Sequence, residues 1–185
     1  KEDRGVLDFE DVLVLTAGIL QDYPAIAQRI HRQYRSFVVD EYQDVSALQH
    51  HVLNLWLGGR HDICVVGDVA QTIYSFAGAS PRYLQDFAQE HKGARVVQLV
   101  RDYRSTPQIV SAANTLMKGE HSSVLKGAVK LVSQRDNGVP VDYQSYADDN
   151  DEAVGIARQI RKLHDDGVSY SSIAILYRTN GQSEN

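Results

Sequence analysis

Three apolar, β-branched runs in this sequence stop at polar clusters. Ser36-Phe37-Val38-Val39 runs into Asp40-Glu41, Asp62-Ile63-Cys64-Val65-Val66 into Gly67-Asp68, and Arg95-Val96-Val97-Gln98-Leu99 is followed by Arg101-Asp102-Tyr103-Arg104. Short runs of this kind predict buried strands. In open parallel sheets ligands sit outside the carboxyl ends of the strands, so three polar ends predict one candidate site. Adjacent carboxylates at such an end suit hydrolysis of a nucleotide. The first, Asp40, would hold Mg²⁺, usually through water, and the second, Glu41, would orient or deprotonate the water that attacks a γ-phosphate. The same pair also suits the start of a polar loop, and two residues alone do not separate these readings.

The elements that must position these residues follow from periodicity. Phe9, Val12, Leu13, Thr16, Ile19 and Leu20 recur at helical spacing behind a cap at Asp8, and a second helical stretch begins after Pro24. Asp44 is a good N-cap for a helix whose face is Val45, Leu48, Val52, Leu55 and Trp56 and which stops at Gly58-Gly59. Ser80-Pro81 opens another helix with Tyr83, Leu84, Phe87 and Ala88 inward. Strand, helix, strand, helix predicts a parallel sheet. Thr106-Pro107 starts a helix carrying Ile109, Val110, Ala113 and Leu116, and periodicity fades from Lys118 to Lys126. Beyond it, Ala128 to Val132 and Val139 to Tyr146 are predicted strands around an Asn137-Gly138 turn. A helix through Ala153, Ile156, Ile160 and Leu163 and a strand from Ser172 to Tyr177 complete the pattern.

The polar clusters extend into longer motifs. Asp40-Glu41-Tyr42-Gln43-Asp44, the stretch from Val66-Gly67-Asp68 through Gln71-Thr72-Ile73-Tyr74-Ser75-Phe76 to Gly78-Ala79, and Leu99-Val100-Arg101-Asp102-Tyr103-Arg104-Ser105 resemble helicase motifs II, III and IV of the UvrD/Rep/PcrA type of superfamily 1 DNA helicase, in the family's order. Leu7-Asp8-Phe9-Glu10-Asp11-Val12-Leu13 and Ile173-Ala174-Ile175-Leu176-Tyr177-Arg178-Thr179-Asn180 resemble the same family, so the likeness covers nearly the whole chain. It implies ATP and Mg²⁺ as cofactors and single-stranded DNA as partner. Asp40 then matches the Mg²⁺ carboxylate, Glu41 the catalytic base and Gln71 the glutamine that senses the γ-phosphate, with Asp68 supporting the site by hydrogen bonding. Tyr103 matches an aromatic that stacks on adenine, and Arg104 an arginine finger to the γ-phosphate. Tyr74 and Phe76 match aromatics that meet the DNA strand, while Arg178 and Asn180 are candidates for its backbone. Phe76-Ala77 stands where the family commonly has Trp-Arg, which predicts weaker stacking and one lost polar contact.

The implied fold is α/β: a partial RecA-like (P-loop NTPase) parallel-sheet domain over residues 1–103, then the beginning of a second α/β domain over 104–185. A phosphate-binding loop needs Gly-x-x-x-x-Gly-Lys followed by Ser or Thr, and no Gly-Lys pair occurs here. Both ends look cut. The chain is therefore expected to be an internal piece of a motor, inactive as an ATPase alone, with a strand edge exposed for self-association.

With 43% hydrophobic and 23% charged residues the composition is that of a folded domain, and a net charge of −5 argues against a broad basic surface. DNA contact would be local and aromatic, since stacking contributes about 1–3 kcal/mol per base without basic charge. A cytoplasmic, nucleoid-associated, bacterial-type location is expected, with a role in repair or replication restart. The single cysteine, Cys64, is expected to be a core thiol. Asp148 to Glu152 suits helix capping better than a cation site, and His50-His51 are expected on a helix surface. Two other readings share the motifs: the helicase arm of a RecB-like helicase-nuclease, and a non-catalytic DNA-binding module.

Overall fold

The computed structural model describes residues 6–118, 128–179 and 181–182. The chain forms two compact units, Lys1–Val139 and Pro140–Asn185. The first opens with helices α1 (Phe9–Asp22) and α2 (Pro24–Gln33), then strand β1 (Phe37–Val39), helix α3 (Ala47–Leu57) and strand β2 (Ile63–Val65). Short helices α4 (Arg82–Gln85) and α5 (Phe87–Glu90) follow, then β3 (Arg101–Asp102), α6 (Pro107–Met117) and β4 (Val132–Ser133). The second unit contains α7 (Asp149–Asp165) and a short turn of helix at Tyr170–Ser172.

Local chemistry sets the helix starts. Asp8 and Asp11 form a reciprocal capping box on α1, Pro24 occupies the first turn of α2, and Asp148 caps α7 by accepting from the Asp151 amide. The cap of α3 is Ser46, which exchanges bonds with Gln49, not Asp44 as the sequence predicts. Asp44 is used one step earlier, in a helical turn over Tyr42–Asp44 whose last amide donates to the Glu41 carbonyl. Gly58 ends α3 at φ 59°, a conformation that suits glycine.

Strands β1 and β2 pair in parallel with Phe37 opposite Ile63 and Val39 opposite Val65. Tyr42, Leu53 and Leu57 are the buried centre of the core beneath them, and Phe37, Val39, Ile63, Val65, Leu84 and Phe87 pack around it. Tyr42 is only 1% exposed, and its ring meets Phe87 edge-on at 5.8 Å. Burial, with lesser contributions from Glu90 and Tyr83, pushes its phenol up to about 12. Arg60 joins the far ends of the helices: its guanidinium donates to the carbonyls of Leu57, Trp56, His31 and Tyr34 at 2.7–2.9 Å. Those are carbonyls that helix ends leave without partners.

Several predicted features take another form. Of the predicted face of α1, Leu20 is buried and Leu13 and Thr16 are half-buried, but Phe9, Val12 and Ile19 lie on the open side, because the face turned to α2 and α3 is centred on Ala17 and Leu20. Ala88 is likewise exposed. The run Arg95 to Leu99 forms no strand. Its pairing begins only where the Val100 carbonyl accepts from the Val132 amide, after which β3 and β4 run parallel with Arg101 opposite Val132. The predicted hairpin about Asn137-Gly138 is absent as well, since β4 takes that parallel partner and Gln108 of α6 binds both turn residues. Ser172 to Tyr177 is not a strand either: a helical turn uses its first residue, and the rest finds no ladder among the described residues. Cys64 points away from the core and is exposed, because it alternates with the inward Ile63 and Val65. His50 is not a plain surface residue: it stacks on Tyr83 at 4.1 Å with Glu90 at 3.6 Å, while His51 is exposed.

Removing one anchor of this core tests the packing. Leu57→Ala should lower the urea midpoint without altering the slope, at a cost of about 2–5 kcal/mol, and a loss below about 1 kcal/mol would contradict the arrangement.

Candidate nucleotide site

The carboxyl ends of β1 and β2 lie side by side because the parallel ladder continues past both strands. The Val66 amide donates to the Val39 carbonyl at 2.8 Å and the Tyr42 amide to the Val66 carbonyl at 2.9 Å. Asp40-Glu41 and Gly67-Asp68 leave the sheet at the same end.

The chain then turns sharply. Glu41 has φ 52° and ψ 40°, and it is the one non-glycine residue with positive φ among the described residues. That conformation costs an L-residue about 1–2 kcal/mol and persists only where its surroundings impose it. Here they do. The Glu41 amide donates to Asp40 Oδ1 at 2.9 Å, its carbonyl accepts from the Asp44 amide at 2.9 Å, and Glu41 Oε2 accepts from Gln43 Nε2 at 2.6 Å. A single hydrogen bond to a charged group contributes about 1.5–3 kcal/mol, enough to offset the backbone cost. Both carboxylates are exposed at the residue level.

Gln43, which has no role assigned from the sequence, lies within the Asp40–Asp44 motif. It is 1% exposed, and its Oε1 accepts from the Asp68 amide at 3.0 Å. Asp68 in turn holds the next turn of chain: Oδ1 accepts from the Ala70 amide at 2.9 Å and Oδ2 from Gln71 Nε2 at 3.0 Å. The structure thus brings Glu41, Asp68 and Gln71 together through a glutamine whose signal in the sequence is only its place between two strand-end carboxylates.

Downstream of Gln71, a helical turn over Ser75–Ala77 displays Tyr74 and Phe76 with ring centroids 6.0 Å apart. Phe76 is 85% exposed, so it is a surface aromatic and not a core residue. This loop is tied back to the start of α3 by an antiparallel bridge between Ser46 and Ala79 and by the Ser80 amide donating to the Val45 carbonyl. A cavity of about 510 Å³ opens between them, lined by Phe9, Leu13, Asp44, Ala47 and Tyr74.

Tyr103 and Arg104 sit in a separate turn built on Asp102. Asp102 Oδ1 accepts from the amides of Arg104 and Ser105, both at 2.7 Å, and those bonds, Ser105 first, hold its carboxyl below the usual carboxylate range. The Arg104 carbonyl accepts from Arg135, and both Tyr103 and Arg104 are exposed. Among the described residues no hydrogen bond or ion pair joins this turn to Glu41 or Gln71. Arg178 belongs to the second unit, where its amide donates to Gln182 Oε1 at 2.9 Å. Asn180 lies outside the described residues.

Asp40 is the residue that would hold Mg²⁺, and its surroundings fit that ion. Asp40 keeps one oxygen with no hydrogen-bond partner among the described residues, and no cluster of three or more metal-ligating side chains occurs there. Mg²⁺ suits such a place, because it is held by one or two carboxylates with waters and substrate phosphates.

Parallel strands whose carboxyl ends carry a carboxylate pair and a glutamine turn make this an α/β chain with polar groups gathered where open parallel sheets place their ligands. The sequence matches the UvrD/REP helicase N-terminal domain over residues 1–92 and the UvrD-like helicase C-terminal domain over residues 97–185. The chain belongs to the UvrD/Rep helicase family. It is 48% identical over 179 residues to ATP-dependent DNA helicase UvrD2 of Mycobacterium tuberculosis, a match covering 97% of this chain and 26% of that relative. ATP-dependent DNA helicases PcrA of Leuconostoc citreum and of Staphylococcus aureus are 34% and 33% identical, over 97% and 96% of this chain and 24% of each relative. The chain thus spans about a quarter of the length of these curated relatives. No helix among the described residues is long and apolar enough to cross a membrane.

The Asp102 turn carries a pH signature. Its carboxyl titrates below the unfolded value of about 4, so the stability it adds is present above that value and is lost as pH falls through the lower folded one. The amide resonances of Arg104 and Ser105 should therefore shift together with a midpoint below the ordinary aspartate range, and separate or ordinary midpoints would contradict the turn.

Proposed function

We propose that this chain is part of the motor of an ATP-dependent helicase that translocates on single-stranded DNA, and that residues 1–103 and 104–185 contribute to two RecA-like motor domains. The observation that carries the reading is the strand-end constellation: Glu41, held in a left-handed turn after β1, hydrogen-bonded through Gln43 to the Asp68–Gln71 turn after β2. Relatives named as ATP-dependent DNA helicases support it.

In this reading Asp40 holds Mg²⁺, which supplies charge neutralisation at the phosphates. Glu41 takes the proton of the attacking water, and its fixed turn places the carboxylate before substrate arrives. Gln71, anchored by Asp68, contacts the γ-phosphate and water, and it lies three residues before Tyr74, so a change at the phosphate reaches the aromatic loop through a short stretch of chain. Tyr74 and Phe76 stack on bases. Tyr103 stacks on adenine, and Arg104 donates to the γ-phosphate, where an always-charged, forked guanidinium accelerates transfer by about 10³–10⁵. Arg178 and Asn180 meet the DNA backbone. The protein acts in the cytoplasm at the nucleoid, in repair or replication restart.

The chain alone lacks a phosphate-binding loop, so we infer that it is inert as an ATPase. β1 has a ladder on only one side among the described residues and Val38 is 78% exposed, which favours self-association through that edge.

Two experiments test this. In the full-length protein Glu41→Gln should reduce DNA-stimulated kcat for ATP by about 10²–10⁴, and a loss below tenfold would overturn the role of Glu41. The isolated chain should hydrolyse no more ATP than its own Glu41→Gln variant and should sediment as associated species at tens of micromolar. Turnover above the variant, or a strictly monomeric profile, would contradict the respective inference.

A further inference from the structure

Gln43 is as deeply buried as any side chain described here, yet it is polar, and its carboxamide is spent on two different strand ends. Nε2 donates to Glu41 Oε2 at 2.6 Å, with a longer contact of 3.4 Å to Asp44 Oδ2, while Oε1 accepts from the Asp68 amide at 3.0 Å. We propose that Gln43 is a positioning residue whose carboxamide locks the Glu41 carboxylate and the Asp68–Gln71 turn into one hydrogen-bonded unit, so that the proton-accepting carboxylate and the phosphate-sensing glutamine keep a fixed relation during turnover. The proposal rests on the assignment of Glu41 and Gln71 made above.

Only a carboxamide of this length does both jobs. A carboxylate in its place has an acceptor for Asp68 but no donor for Glu41, and adds a second negative charge beside it; an aliphatic chain has neither group and strands the Asp68 amide. The planar amide also fixes donor and acceptor relative to each other, so displacement of the Asp68–Gln71 turn is passed to Glu41 and not absorbed by side-chain rotation.

An independent observation comes from Gly67. Its φ is not positive, so its backbone does not call for glycine. A Cβ at this position would come within 2.6 Å of Gln43 Oε1, 3.0 Å of Leu84 Cδ2 and 3.2 Å of the Gln43 backbone nitrogen. The missing side chain is therefore space for the Gln43 carboxamide and the chain that carries it. On the core side Tyr42, the neighbour of Gln43, is wedged against Phe87, and Leu84 packs against the same cluster.

The test uses the full-length protein, measuring steady-state ATP hydrolysis with saturating single-stranded DNA and equilibrium binding of Mg-ADP. Gln43→Met and Gly67→Ala should each lower kcat at least about tenfold, the scale of one lost hydrogen bond to a charged group, with KM for ATP and Kd for Mg-ADP within threefold of wild type. Gln43→Met combined with Gln71→Ala should fall at most threefold below the more impaired single variant, because groups that act as a unit are not additive. A purely architectural glutamine would give losses that multiply, or weakened nucleotide binding with kcat per folded molecule preserved, and either result overturns the proposal. If Gln43→Met does not fold, Gly67→Ala, which keeps Gln43 but displaces it, and Gln43→Glu, which keeps the acceptor but not the donor, decide by the same split. Glu41→Gln separates the two failures. Unimpaired turnover in that variant overturns the base assignment and this proposal together, whereas abolished turnover there with kcat within threefold of wild type in the Gln43 and Gly67 variants overturns the positioning role alone.

Discussion

A buried carboxamide must find partners, because leaving its donor or acceptor unsatisfied costs about 1–3 kcal/mol per group. Gln43 finds them on the two segments that leave the sheet at the ends of β1 and β2. The geometry of the site depends on this exchange. It requires Gly67 to lack a side chain, it restrains Glu41 in a left-handed turn, and it fixes the first residue of the turn that Asp68 then caps. The core beneath is arranged accordingly: Tyr42, the neighbour of Gln43 in the same short turn, carries the hydrophobic anchor while Gln43 carries the polar one.

The rest of the first unit supports that junction. Helix α3 starts directly after it, capped by Ser46, and its Leu53 and Leu57 fill the core below Tyr42. The loop that displays Tyr74 and Phe76 is bonded to the same helix entrance at Val45 and Ser46. One short stretch of chain, from Glu41 to Ser46, therefore touches both the carboxylate site and the anchor points of the aromatic loop. This proximity is what makes communication between nucleotide and DNA physically reasonable in the proposed motor.

The sequence was most informative where a single residue type forces a local outcome. Helix caps at Asp8 and Asp148, the stop at Gly58 and the polar strand ends at Asp40 and Asp68 follow from side-chain hydrogen bonding and glycine's conformational freedom, which act over a few residues. Strands were less legible. Val96, Val97 and Leu99 have strand-forming side chains but remain 63–72% exposed, since a strand exists only where another segment supplies its ladder. Asp44 shows the same limit at shorter range: it has the chemistry of a cap, but a tighter turn claims it and leaves the role to Ser46. Gln43 was invisible because burial of a polar residue is a property of the junction between two strands and leaves no periodicity along one.

The junction itself can be observed residue by residue through native-state hydrogen exchange. The Asp68 amide lies beyond the end of β2 and would exchange as a loop amide were it not bonded to Gln43 Oε1. We expect it to exchange as slowly as the Val66 amide, which is part of the ladder to Val39. Exchange of Asp68 at the fast rate of the exposed Ile73 amide, which has no hydrogen-bond acceptor among the described residues, would contradict the account.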